Sequence, residues 1–156
     1  MIRKIFQIGL IALFAVISLP NPAYATGETQ VIQVTGHFQT QSLTCPPPDD
    51  TEQCVIDQLT GDLIGTNKLV TISFTETPTM ISYYDTTTMI SQYGEFQGDE
   101  HGVIDLQTGE FHSQASFTST DGCGSILTIH NRGVIDLETL EDDGEYTGTL
   151  ILRQCE

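Results

Sequence analysis

Histidines are the first residues in this chain with the chemistry of a general base or a metal ligand: His37, His101, His112 and His130. General-base work needs a placed partner, and no two of the four share a motif. His37 and His112 fall on the polar side of alternating segments, and His101 follows Asp99-Glu100 in what reads as a turn. His130 falls on one face with Ile126 and Thr128, which makes it the least ordinary. Together they read as solvent or barrel-mouth imidazoles, and no metal ligand is assigned. Asp142-Asp143-Gly144-Glu145, with Glu138 and Glu141 close by, has the carboxylates and the Gly that hold a hard cation, but not the spacing of an EF-hand loop. It reads as a solvated acidic hairpin tip. The third cluster is Tyr83, Tyr84, Tyr93 and Phe96 with Met80 and Met89. As a pocket lining, its phenolic hydroxyls would orient a mostly apolar ligand; as plain structure, the same residues are core and cross-strand pairs. These six and His130 are the candidate ligand-binding residues.

No catalytic residue is assigned. The chain lacks a Gly-x-Ser-x-Gly elbow, a phosphate-binding Gly-Lys-Ser/Thr loop and a His-Glu-x-x-His pair, and it has no cofactor fingerprint. An enzyme built on this chain would have to draw on His130, Glu95 or Tyr93 at a perturbed pKa. Charge excludes other classes. Residues 26–156 hold three basic residues (Lys68, Arg132, Arg153) against all 21 acidic ones, a formal charge of −18. Nucleic acid and anionic membrane surfaces bind through clustered Lys and Arg, so neither is expected as a partner.

Arg3 and Lys4 precede an apolar run from Ile5 to Leu19, and Pro20-Asn21-Pro22 leads into Ala23-Tyr24-Ala25. A basic start, an apolar middle and small residues before the cut make residues 1–25 a secretory signal peptide, cleaved after Ala25. The run is also shorter than the roughly 20 residues a bilayer core needs. Residues 26–156 are then one domain, secreted or periplasmic, with no membrane insertion after cleavage. Its four cysteines, Cys45, Cys54, Cys123 and Cys155, read as two disulfides in an oxidising compartment. Three pairings are open. Cys45 and Cys54 bracket a Pro-rich loop whose base a local bridge would pin, which leaves Cys123 to Cys155. If 125–136 and 144–154 are adjacent antiparallel strands, that second pair also falls together.

The elements that position these residues are strands. Ile32, Val34 and Phe38 alternate with polar neighbours, as do Val70, Ile72 and Phe74, then Phe111, Ala115 and Phe117, then Leu150 and Leu152. Period-two patterning with one dry face predicts half-buried strands. Gly-containing turns at 60–62, 98–99, 108–109, 121–122 and 143–144 divide the chain into eight or nine of them. They are expected at 30–43, 54–65, 68–77, 79–84, 88–97, 101–107, 110–119, 125–136 and 145–154, with Asp85-Thr86-Thr87 as a hairpin turn. Residues 50–61 suit a strand or a short capped helix. Gly102-Val103-Ile104-Asp105 and Gly133-Val134-Ile135-Asp136 are echoes, each a strand ending in an Asp able to bond its own turn, with Val55-Ile56-Asp57 a looser third copy. An all-β fold follows, an antiparallel up-and-down barrel or a two-sheet β-sandwich. Its expected core is Ile32, Val34, Val70, Ile72, Phe74, Phe117, Leu150 and Leu152.

Leu59-Thr60-Gly61-Asp62-Leu63-Ile64-Gly65, Tyr93-Gly94-Glu95-Phe96-Gln97-Gly98 and the repeated Val-Ile-Asp hairpins make the chain resemble small secreted bacterial proteins of the allene oxide cyclase-like barrel group. The resemblance covers roughly residues 30–154 and implies an eight-stranded antiparallel barrel. None of that group's functional positions matches a residue here. The expected function is that of an exported, disulfide-braced barrel taking up a small apolar or amphipathic ligand without a cofactor. The alternatives are a cofactor-free isomerase or cyclase of the barrel group's type, and a structural or surface-interaction module.

Overall fold

A computed structural model describes residues 28–50 and 53–155 of the protein. The segment 1–25, read as a signal peptide with its cut after Ala25, lies outside the described residues. Eight strands follow one another: β1 (Thr29–Ser42), β2 (Cys54–Gly61), β3 (Gly65–Glu76), β4 (Met80–Ser91), β5 (Gly94–Asp105), β6 (Glu110–Ser119), β7 (Ile126–Ile135) and β8 (Asp142–Arg153). Each pairs antiparallel with its neighbour in the chain, and β8 pairs with β1 to close the cylinder. This is an up-and-down barrel and not a sandwich; closure gives every strand two partners and leaves no edge. The segment open to strand or helix is strand β2, with Cys54↔Val70 through Leu59↔Gly65 paired to β3.

The expected turn at Asp85-Thr86-Thr87 is absent. β4 runs straight through it, since β3 and β5 offer partners on both sides: Asp85 faces Thr71 in one register and Glu100 in the other. The expected break at Gly98-Asp99 is likewise inside β5. Three expected segments between 79 and 107 are therefore two twelve-residue strands, joined at Gln92-Tyr93 with Gly94 at φ 113°. β8 starts at Asp142 instead of 145, because Asp142 and Asp143 pair with Ile135 and Val134. The Val-Ile-Asp echoes act as expected in two copies. Asp105 Oδ1 accepts from the N–H of Gln107 (2.7 Å) and Thr108 (3.2 Å), and Asp136 Oδ1 from Glu138 (2.8 Å) and Thr139 (3.1 Å). The third copy differs: Asp57 sits within β2, away from its turn.

Val34, Phe117 and Leu150 are buried as expected, and Ile32 and Leu152 pack against them half-covered. Strand β3 departs from the expectation. Its register shifts between Thr71 and Ser73, a bulge that moves the inward phase by one residue. Asn67, Leu69 and Thr71 point inward before the bulge and Phe74 after it. Val70 and Ile72 belong to the outward phase that precedes the bulge, Ile72 being 57% exposed, and the bulge is what brings Phe74 inward.

The two ends of the barrel differ. At the end holding the turns at 62–64, 92–93 and 120–125, the interior is filled by Val34, Leu63, Phe96, Phe117, Leu127 and Leu150. The floor is locked by Tyr146, whose hydroxyl donates to Thr60 O (2.9 Å) and accepts from Leu63 N–H (2.7 Å). A side chain on Gly36 would collide with the Tyr146 ring and with Thr60 O, so this position has to be glycine. Gln92 holds the turn from outside, donating to Asp62 O (2.6 Å) and accepting from Ile64 N–H (2.7 Å). Disulfides brace both ends. Cys45–Cys54 closes the base of the 43–53 loop at the mouth, and Cys123–Cys155 ties the 120–125 turn to the end of the chain, with Cα separations of 5.9 and 4.9 Å. Their formation is compatible with an extracellular or periplasmic protein.

Candidate functional site

The half of the barrel that the core leaves unfilled is a cavity of about 640 Å³, opening between the 43–53 loop and the 136–141 turn. Its walls come from the inward phase of the strands and are largely apolar: Leu59, Leu69, Met89, Ile104, Phe111 and Ile129 are among them. Ile81, Phe74 and Leu140 stand toward the mouth, where Leu140 takes φ 65° to turn back into β8.

Into this apolar space four carboxyl groups project from four different strands: Asp57, Asp85, Glu100 and Asp142. Asp57 and Asp85 are 5% exposed and Glu100 is 2% exposed. Neutral partners surround them. Glu100 accepts from Tyr83 Oη at 3.3 Å and from Asn131 Nδ2 at 3.4 Å, both long, while Asn131 also donates to Ser113 Oγ at 3.0 Å. On the opposite wall Thr40 stands between the two aspartates. It pairs across strands with Asp57 and donates to Asp142 Oδ1 at 2.8 Å, while its Oγ1 accepts from Asp142 N–H at 2.7 Å. Asn67, the other cross-strand neighbour of Asp57, accepts from Thr87 Oγ1 at 2.6 Å. No donor among the described residues reaches Asp57 Oδ1 or Asp85 Oδ1.

Burial in apolar surroundings penalises the charged form of an acid, and it dominates here. It raises Glu100 from 4.5 to about 7, with the nearby Asp85 adding repulsion and the Ser113, Asn131 and Tyr83 bonds partly offsetting it. Asp85 rises to about 6 through burial, eased by Thr71. Asp57 is pushed well up by burial, then by repulsion from Asp142 and Glu100, and Asp142 is raised by its own burial. The Tyr83 phenol is raised by burial and by Glu100. Gly102 makes room for it, since a Cβ there would sit inside the Tyr83 ring. Among the described residues, no Lys, Arg or His lines the cavity.

The residues singled out by type end up in three places. Tyr83 and Met89 line the cavity. Phe96 is fully buried in the floor, where Tyr93 packs half-covered against the core. Tyr84 alternates out of phase with Tyr83, so its hydroxyl donates to Asp99 Oδ1 at 2.8 Å on the outer surface and its ring lies 4.7 Å from that of His101. Met80 is exposed at the start of β4. His130 faces outward on β7, over a shallow groove with Gln33, Thr35 and Thr147, and Glu95 is exposed. Asp142, read as part of a solvated hairpin tip, is half-buried and faces inward. The sequence signal that could have found the acids was phase: Asp85 alternates with Thr87 and Met89, Glu100 with Gly102 and Ile104, both on the inward face.

No family model, curated protein or solved structure matches this chain, so the geometry of the cavity carries the functional argument.

Proposed function

We propose that this protein is an exported β-barrel that takes up one small, mostly apolar or amphipathic molecule in its cavity, as a non-enzymatic binding protein. The observation that carries the reading is the combination of a packed, hydrogen-bonded floor with about 640 Å³ of apolar-walled space above it, open at one end. Small ligands are held in concave, largely apolar sites with a few convergent polar groups, and an eight-stranded barrel has room for one. Exposed Ile72, Phe74, Met80, Leu137 and Leu140 near the open end give an apolar molecule a surface to meet first. Export rests on the signal peptide with its cut after Ala25, and the two disulfides agree with it. Kinship with the secreted allene oxide cyclase-like barrels belongs to the same reading, supported by the number and order of the strands.

N-phenyl-1-naphthylamine, a neutral apolar fluorophore, tests the reading by titration of the mature protein. The probe should brighten on binding, and Leu69→Trp, which fills the cavity from β3, should abolish the gain. Equal brightening with both proteins would place the probe on the surface and overturn the proposal. A cofactor-free isomerase is the second reading, favoured by Glu100 near pH 7 beside Tyr83 in an apolar site, the setting of a general base. It predicts that a molecule co-purifying with the protein takes up deuterium on carbon in heavy water, and that Glu100→Gln stops the exchange.

A further inference from the structure

Resting on the proposed binding function, we infer that the molecule held in the cavity is a cation, an amphipathic amine whose protonated nitrogen lies among Asp57, Asp85, Glu100 and Asp142 while its hydrocarbon lies along the apolar walls. Two observations beyond the acids themselves point this way. Asp57 and Asp85 stand in the cavity wall, are 95% buried, and each has one carboxyl oxygen, Oδ1, that meets no donor among the described residues. A buried acceptor without a donor is costly, and an ammonium group offers N–H donors and a compensating charge together. Among the described residues, the wall also carries no Lys, Arg or His to receive a carboxylate or phosphate.

The alternative cation, a divalent metal, fits poorly. Calcium takes six to eight oxygens within about 2.6 Å of the ion, which requires carboxylates converging closely. The one trio of His, Cys, Asp or Glu ligand atoms within 4.8 Å of one another among the described residues is Asp121, Cys123 and Cys155, where the two sulfurs are bonded to each other. The cavity acids spread around the wall instead, on β2, β4, β5 and β8. An ammonium needs only one or two of these carboxylates in contact, its charge acting on the others across the lumen. A neutral alkane would leave both aspartate oxygens unpaired, and an alcohol would supply one donor without charge.

The test compares decylamine, decan-1-ol and decanoate by calorimetric titration of the mature protein, below their aggregation concentrations. Decylamine should bind about tenfold or more tighter than decan-1-ol, the order of advantage a charge-assisted contact has over a neutral one. Decanoate should be the weakest. Asp85→Asn/Glu100→Gln should erase the preference, whereas Glu95→Gln/Glu110→Gln, which removes two exposed charges, should keep it. That control separates the cavity from general attraction to an acidic protein. The groups facing the nitrogen are Asp57 from β2, Tyr83 and Asp85 from β4, Glu100 from β5 and Asp142 from β8. The remaining strands offer only Thr40, Asn67, Thr71, Ser113 and Asn131, and Asp50 stands at the mouth. Amine binding should therefore release protons near neutral pH and weaken toward about pH 5 as the acids protonate. If decan-1-ol or decanoate binds as tightly as decylamine, the cation inference fails and the binding function stands. If none of the three binds, both fall.

Discussion

Glu100→Gln isolates what the buried carboxyl costs the fold. Glu100 is 2% exposed, and burial lifts it from 4.5 to about 7. An acid whose pKa is raised by folding holds its proton in the folded state after the unfolded chain has lost it. Stability therefore falls as pH rises from 4.5 to about 7 and is level above that. At 1.36 kcal/mol per pH unit, the loss over this window is about 3 kcal/mol. Glutamine keeps the shape, does not titrate, and its amide can donate toward Asp85, which has an unpaired oxygen. Below about pH 4.5 the variant and the parent should be equally stable; by about pH 8 the variant should be the more stable by about 3 kcal/mol. Urea unfolding of the ligand-free protein across that range measures the difference, and the parent serves as its own control for the repulsion of a chain at −18. A difference that stays constant with pH, or a variant less stable at about pH 8, would refute the reasoning. The same substitution should weaken decylamine binding, so that stability gained and function lost report on one group.

Tyr146→Phe removes a hydroxyl that serves both Leu63 N–H and Thr60 O at the floor, and leaves the buried Leu63 N–H without that partner. It should cost about 1–3 kcal/mol in urea unfolding. Replacing Cys123 and Cys155 by serine opens a loop closed over 32 residues and should cost about 4 kcal/mol, while the pair at Cys45 and Cys54, closing nine residues, should cost about 2–3 kcal/mol. Only the second pair should alter probe binding, since it alone braces the mouth. Two ion pairs, Lys68–Asp49 and Arg132–Glu145, offset the acids among the described residues. The urea midpoint should therefore rise between low and moderate salt; a rise produced by calcium alone would mark a metal site.

The strands, the disulfides and the barrel were legible in the sequence because each depends on local or pairwise rules. Period-two alternation places Val34, Phe38, Phe117 and Leu150 on a dry face whatever the strand's neighbours are. The two Val-Ile-Asp turns were legible for the same reason, since an Asp that bonds the N–H groups two and three residues ahead needs nothing distant. Cys45 and Cys54 paired as their short spacing implied, and Cys123 and Cys155 as antiparallel neighbours do.

The cavity acids were not legible as a group. Asp85, Glu100 and Asp142 each stand beside Thr or another acid, the composition of a turn, and each reads as part of one, while Asp57, between Ile56 and Gln58, reads as a strand-ending Asp that bonds its own turn. Locally, an acid in a strand looks like an acid in a loop; what separates them is whether partners exist on both sides and which way the phase points. Asp85 became a mid-strand residue because β3 and β5 both pair with it. Phe74 reached the mouth because a bulge shifted β3 by one residue, while Ile72 kept the outward phase of Val70. Composition and periodicity by themselves determined an acidic, disulfide-braced antiparallel β-domain. Only closure of the barrel decided that its interior is filled at one end and empty at the other, because whether facing side chains meet across a lumen depends on register and diameter, which no single strand contains.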